Sequence, residues 1–259
     1  MADPFAPRVG GVMSADIAVP EHDRVVRFYA RVLTTGERPL WRDDLMNSRG
    51  VPVIGIGAQS PAYAELPMQW MPHIQVADVA QSAARAVALG GRELMHGKDD
   101  SGASQWAVLL DPSGAGFGLI PVVTPDQIPA GEGDPSASTG CIAWLDLTVP
   151  DASAMRDFYC EVIGWSAQDA ALEDGGERYA DYCMHGADGH PAAGICHARG
   201  VNAGLPPVWL LYLPVGDLDE SLRRVQAEGG SIIKAPPTGA GATAVIRDPA
   251  GVCVALARG

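Results

Sequence analysis

Asp16 and Asp146 stand 130 residues apart, one inside ADIAVP and the other inside LDLTVP, both otherwise apolar, strand-like runs. A carboxyl group in apolar surroundings is biased toward its protonated form, which suits it to general acid/base work. A carboxylate at such a place can equally accept hydrogen bonds and brace the strand. His73 falls in a third run of this kind, WMPHIQV (70–76), and strand alternation sets Gln75 on its face. An imidazole brought to Asp16 would form a proton-transfer pair; a satisfied core histidine is the other reading. Asp16, His73 and Asp146 are therefore the catalytic candidates.

The elements that carry them are written twice. ADIAVPEHDRVVRFYARVL (15–33) aligns without gaps with LDLTVPDASAMRDFYCEVI (145–163), matching Phe28-Tyr29 to Phe158-Tyr159. LPMQWMPHIQVADVAQS (66–82) aligns with LPPVWLLYLPVGDLDES (205–221), so Trp70 recurs as Trp209 and Asp78 as Asp217. Gly90-Gly91 returns as Gly229-Gly230, and DPSG (111–114) as DPAG (248–251). Duplication of a whole domain explains matches in this order. The segment 124–140, TPDQIPAGEGDPSASTG, is rich in Pro, Gly and Ser and reads as a linker. It divides the chain into domains at 1–123 and 141–259.

Each copy has the same internal rhythm. A strand at 13–19 precedes a helix at 21–33, with Val25, Phe28, Tyr29 and Val32 on one face. VPVIGI (51–56) matches HPAAGI (190–195), an expected short hairpin where Gly55 and Gly194 permit bends or close approach. The pattern then restarts with a strand at 70–76, Asp78 as N-cap, a helix at 79–89 and Gly90-Gly91 as its stop. In the second copy Asp217 with Glu220 reads as a capping box. Each half is thus two β-α-β-β-β units, and the chain four.

Composition bounds the partners. The 259 residues suit two domains of roughly 100–150 residues. A net charge of −13, with 18 Lys and Arg and no basic run, disfavours nucleic acid and anionic membranes. No apolar stretch reaches the roughly 20 residues of a membrane span, and MADPFAPRVGG lacks a signal-peptide layout, so a cytoplasmic protein is expected. Cys141, Cys160, Cys183, Cys196 and Cys253 include no C-x-x-C pair and are expected to be buried reduced thiols.

The four units, the Phe-Tyr pair closing the first helix, the Gly-Gly after the second and the Asp-Pro-x-Gly before the final strand resemble the vicinal oxygen chelate superfamily. That group includes glyoxalase I, extradiol dioxygenases, fosfomycin-modifying enzymes and bleomycin-binding resistance proteins. The chain looks most like its two-domain bacterial members, loosely labelled glyoxalase-like or hydroxylase. The resemblance implies an α+β fold of tandem vicinal oxygen chelate domains, their four units forming two cup-shaped half-barrels that hold small ligands. In metal-dependent members, side chains near the start of the first strand, the start of the restart strand and on the last strand bind a divalent ion. The matching positions here are Ser14, Met71 and Gly118 in one copy, and Trp144, Leu210 and Ala255 in the other. None is His, Asp or Glu, whereas a divalent site needs several donors at about 2.0–2.6 Å. No metal and no other cofactor is therefore expected, the alternative being a displaced site using His73 and Asp16. His185, His190 and His197 straddle a predicted hairpin and read as exposed or locally hydrogen-bonded.

Within such cups, alternation turns Asp16, Ala18, His73 and Gln75 toward the first cavity, with Trp106 at its wall. Trp144, Asp146, Thr148, Leu210 and Tyr212 turn toward the second. The ligand-binding candidates are Gln75, Trp106, Trp144, Thr148 and Tyr212. Trp41, Trp70, Trp106, Trp144 and Trp209 could line a pocket for a flat or carbonyl-bearing ligand, although the repeated Trp70 and Trp209 read as core. The expectation is a metal-independent enzyme of proton-transfer, lyase or isomerase type acting on a small organic metabolite. A drug- or toxin-sequestering protein and a metal-dependent glyoxalase or dioxygenase with displaced ligands are the alternatives. The two domains are expected to pair within one chain, as a monomer or homodimer.

Overall fold

The computed structural model describes residues 7–33, 44–46, 52–124, 141–236 and 243–259. The expected linker beyond residue 124 and Trp41 lie outside the described residues. The first unit has β1 (Val12–Val19), α1 (His22–Val32), β2 (Asp44–Met46) and β3 (Pro52–Ala58). The second has β4 (Met71–Val76), α2 (Val79–Ala88), β5 (Arg92–Lys98), β6 (Ser104–Leu110) and β7 (Gly116–Pro121). The third has β8 (Trp144–Val149), α3 (Ala152–Ile163), β9 (Ser166–Asp174), β10 (Glu177–His185) and β11 (Pro191–His197). The fourth has β12 (Trp209–Val215), α4 (Leu218–Ala227), β13 (Ser231–Lys234), β14 (Thr243–Arg247) and β15 (Cys253–Arg258).

One pairing rule repeats through all four units. The first strand lies parallel to the last: β1 with β3, β4 with β7, β8 with β11 and β12 with β15. A parallel pair needs a long crossover, which the helix supplies. The remaining pairs are antiparallel, so the sheets are mixed and the fold is α+β. The hairpin expected at VPVIGI is only half the story. β3 is antiparallel to β2 but also parallel to β1, which sets Gly55 opposite Asp16. Gly194 stands opposite Asp146 in the same way.

The helix faces follow the apolar spacing. α1 buries Val25, Phe28, Tyr29 and Val32, and α3 buries Phe158, Tyr159 and Val162 at the matching turns. Asp78 and Asp217 cap α2 and α4 by accepting the backbone N–H of Gln81 and Glu220, each at 2.9 Å. The capping box is only half formed. Glu220 turns to Arg223 and Arg224, at 3.0 and 2.9 Å to their Nε atoms, because two guanidinium groups outcompete one backbone N–H. No disulfide joins any of the five cysteines; Cys253 is buried and the other four are partly exposed. Among the described residues, no helix is long and apolar enough to cross a membrane.

The chain forms two compact units that each mix both halves of the sequence. One contains the described residues of Met1–Met13, Met71–Gln127 and Trp144–Trp209; the other contains those of Ser14–Trp70, Ile128–Ala143 and Leu210–Gly259. The repeated motifs explain how each holds together. In the first, Tyr159 Oη donates to Asp111 Oδ2 at 3.0 Å and accepts from Trp209 Nε1 at 3.0 Å. In the second, Tyr29 Oη donates to Asp248 Oδ2 at 3.1 Å and accepts from Trp70 Nε1 at 3.3 Å. All six side chains are buried. Each tyrosine thus joins an aspartate from one half of the sequence to a helix from the other.

Candidate functional site

Alternation along β4 puts Met71, His73 and Gln75 on one side and Ile74 and Val76 on the other. His73 stands opposite Gly118 of β7, and Val108 of β6 stands beyond. The imidazole lies over the glycine: a Cβ at Gly118 would come within 2.7 Å of His73 Cδ2. Trp106 pairs with Gly97 of β5, covers it with its indole and is 39% exposed. Gln75 is fully buried, and its Oε1 accepts the backbone N–H of Val123 at 2.9 Å.

The third unit carries the densest group of polar side chains among the candidates. Trp144 Nε1–H donates to Asp146 Oδ1 at 2.7 Å, two residues along β8. Across the parallel pair, Gly194 has no side chain to oppose them; a Cβ there would overlap Asp146 Oδ1 and stand 3.4 Å from Trp144 Nε1. Cys183 of β10 is opposite Gly194, while Thr148, which is buried, is opposite Cys196. Burial and then the negative charge of Asp146 push both the Cys183 and Cys196 thiols up, and Asp181 adds to the effect on Cys196. These thiols stay protonated at neutral pH and are poor nucleophiles.

The hairpin histidines are locally bonded. His185 lies on the same strand face as Cys183, with Nε2 3.8 Å from its Sγ and Nδ1 3.1 Å from its carbonyl oxygen. His197 Nδ1 lies 3.2 Å from Asp181 Oδ1, which also accepts the His197 backbone N–H at 2.8 Å. His190 pairs with Asp188 at 3.1 Å.

His73, Gln75, Trp106, Trp144, Asp146 and Thr148 therefore belong to one compact unit, and Asp16 and Tyr212 to the other. Asp16 is exposed on β1. Tyr212 is opposite Ala255, and its carbonyl accepts the N–H of Ala143 at 2.9 Å. Sequence reasoning passed over Cys183, Cys196 and Gly194 as parts of the Asp146 surroundings. The repeated glycine at 55 and 194 was the available signal, since each stands opposite a repeated aspartate.

The family's metal positions do not fit a divalent ion. Met71, Leu210 and Ala255 are buried apolar side chains, and the space a side chain would need at Gly118 is filled by the His73 ring. Among the described residues, no group of three or more His, Cys, Asp or Glu is placed to hold a metal.

Comparison with known proteins gives the relationship. A family model described as a glyoxalase-like domain matches residues 13–120, and one described as the Glyoxalase/Bleomycin resistance protein/Dioxygenase superfamily matches residues 141–256. The anthracycline biosynthesis protein DnrV of Streptomyces peucetius is 32% identical over 133 residues, 46% of this chain and 47% of that protein. The chain spans about half the length of the curated relatives it matches. Among solved structures, the Mn(II)-bound glyoxalase from Novosphingobium aromaticivorans superposes with a TM-score of 0.60 at 16% identity, covering 97% of this chain and 82% of that one. A variant of homoprotocatechuate 2,3-dioxygenase from B. fuscum gives 0.61 at 16% identity, covering 98% and 72%. At such identity the likeness is one of fold. With matching family models across both of its halves, the chain belongs to the glyoxalase, bleomycin resistance and dioxygenase group, the vicinal oxygen chelate superfamily, and carries two such domains in tandem.

Proposed function

We propose that this chain is an enzyme acting on a small organic molecule, by proton transfer of the lyase or isomerase type and without a divalent ion. Asp146 is its acid/base group. The observation that carries this reading is the arrangement of Trp144, Asp146 and Gly194. One indole N–H holds the carboxylate at 2.7 Å, and the neighbouring strand presents a glycine where any side chain would strike it. A carboxylate oriented in this way can take a substrate proton from one carbon or oxygen and return it to another. Trp144 both orients Asp146 and offers a flat apolar surface. His73, set over Gly118, is a second acid/base group of the same compact unit.

DnrV is named for anthracycline biosynthesis. A flat, carbonyl-bearing substrate suits the indole of Trp144. We read the domains as 1–123 and 141–259, paired within one cytoplasmic chain.

The test is turnover of a panel of polycyclic quinones and ketones by protein stripped of metal with EDTA, followed by mass spectrometry and NMR. Asp146→Asn keeps the acceptor for Trp144 and should lower turnover by about 100-fold with little change in Tm. Ligand recovered unaltered, with ligand-induced stabilisation, would favour the sequestering protein instead. Turnover that appears only on adding a divalent ion would end the metal-free reading.

A further inference from the structure

Residues 8–11 cross the end of β4 and are fixed from several sides. Gly10 N–H donates to the Gln75 carbonyl at 2.7 Å, and Gln75 N–H donates to the Gly11 carbonyl at 2.8 Å. Trp165 Nε1–H donates to the Gly10 carbonyl at 2.8 Å, and Ala187 N–H to that of Val9 at 3.0 Å. Among the described residues this frame leaves two donors unserved. Val123 N–H occupies Gln75 Oε1, which fixes the amide orientation and makes Nε2 the donor end. Among the described residues, Gln75 Nε2 is buried without a hydrogen-bond partner, and so is Arg8 Nε.

The two side chains come together beside Gly11, Arg8 through its Cγ and Gln75 through its Nε2. A Cβ at Gly11 would come 2.8 Å from Arg8 Cγ and 2.9 Å from Gln75 Nε2. The glycine is therefore what allows both to lie there. Among the described residues Arg8 has one ion pair. Its side chain is 9% exposed, and its ion pair is Nη1 to Asp188 Oδ2 at 3.2 Å. Asp188 is a third exposed and is shared with His190. A buried guanidinium calls for a close counter-charge and filled donor sites.

We propose that Arg8, Gly11 and Gln75 form a buried site for a small monovalent anion of about the size of chloride or formate. Both unserved groups are donors and neither can accept, so their complement is an acceptor. The charge on Arg8 selects an anion over a neutral oxygen. The bound ion would tie the segment at 8–11 to β4 through side chains, adding to the backbone bonds already present.

The test uses the full chain crystallised from bromide in place of chloride. The expected result is an anomalous peak within contact distance of both Arg8 Nε and Gln75 Nε2. In solution, Tm should climb with the logarithm of bromide concentration at constant ionic strength, relative to fluoride. Gln75→Leu removes one donor, and Gly11→Ala fills the approach. Gly11 lacks the positive φ of Gly10, at +84°, so alanine suits its backbone. Both variants should lose the bromide-dependent gain. Ordinary water density without an anomalous peak overturns the proposal, as does an equal bromide response in the variants. Should the variants fail to fold, the peak in wild-type crystals decides alone.

Discussion

Removing one oxygen atom by Tyr159→Phe should destabilise the chain more than a typical surface or conservative core change. The hydroxyl serves two buried groups at once, accepting from Trp209 Nε1 at 3.0 Å and donating to Asp111 Oδ2 at 3.0 Å. Asp111 Oδ1 keeps its own donors, the N–H of Ser113 at 2.8 Å, the Ser113 hydroxyl at 2.6 Å and the N–H of Ala115 at 3.0 Å. The turn itself survives, and the loss is confined to the Tyr159 link. A hydrogen bond to a charged acceptor contributes about 1.5–3 kcal/mol, and an orphaned buried N–H costs roughly 1–3 kcal/mol. The sum is about 2.5–6 kcal/mol, which in a protein of this size lowers Tm by roughly 5–24 °C. Tyr29→Phe breaks the matching bonds at 3.1 and 3.3 Å and should cost less, because longer bonds are weaker. Urea unfolding of Tyr159→Phe, Asp111→Asn and the double variant measures the coupling, expected to exceed about 1 kcal/mol. A loss below about 1 kcal/mol for Tyr159→Phe, or simple additivity in the cycle, refutes the idea that this link holds the compact unit together.

Two further predictions concern charge and clearance. Burial pushes the Asp111 and Asp248 carboxyls above their ordinary 3.8, so the folded state holds these protons more tightly than the unfolded chain. The resulting stabilisation is fully present below 3.8 and is lost as pH rises through the raised values. The Tm advantage of wild type over Asp111→Asn or Asp248→Asn should therefore widen as pH falls from 7 toward 4, and a gap flat in pH rejects this sign. Gly194→Ala should displace Asp146 and cost about 1–3 kcal/mol, with the Trp144 indole N–H resonance moving as its acceptor shifts. Gly57→Ala is the control, because its Cβ would meet only the Ile17 carbonyl oxygen at an ordinary 3.6 Å. Equal effects at 57 and 194 would remove the clearance argument.

The periodic parts of the fold were legible because they are local. The apolar spacing of Val25, Phe28, Tyr29 and Val32 and the caps at Asp78 and Asp217 need only neighbours within a turn or two. The duplication made them legible twice. What was not legible depends on partners far along the chain. Asp111 and Asp248 were visible only as markers of a final strand. Their tyrosine partners lie 48 and 219 positions away, and nothing in a strand pattern predicts that. Gln75 shares the His73 face by alternation, yet residues 10–11 and Val123 bury it, which alternation within β4 cannot reveal. The partial exposure of four cysteines has the same cause, since it reflects what covers each strand rather than the strand itself.

The duplication also separates structural from chemical roles. Tyr29 and Tyr159, Trp70 and Trp209, and Asp111 and Asp248 are identical in both copies and make the same buried link twice. Any substitution there breaks a contact whose other members still require it. Positions matched to the family's metal ligands carry no such constraint and differ between the copies: Ser14 against Trp144, Met71 against Leu210, Gly118 against Ala255. Asp16 and Asp146 cross this division, being repeated, each opposite a repeated glycine, yet set among unrepeated neighbours. The indole donor two residues upstream exists only at Trp144, where the other copy has Ser14. The repeat therefore accounts for an aspartate facing a glycine, and the third unit adds an indole N–H to its carboxylate, which is why acid/base chemistry is proposed for Asp146.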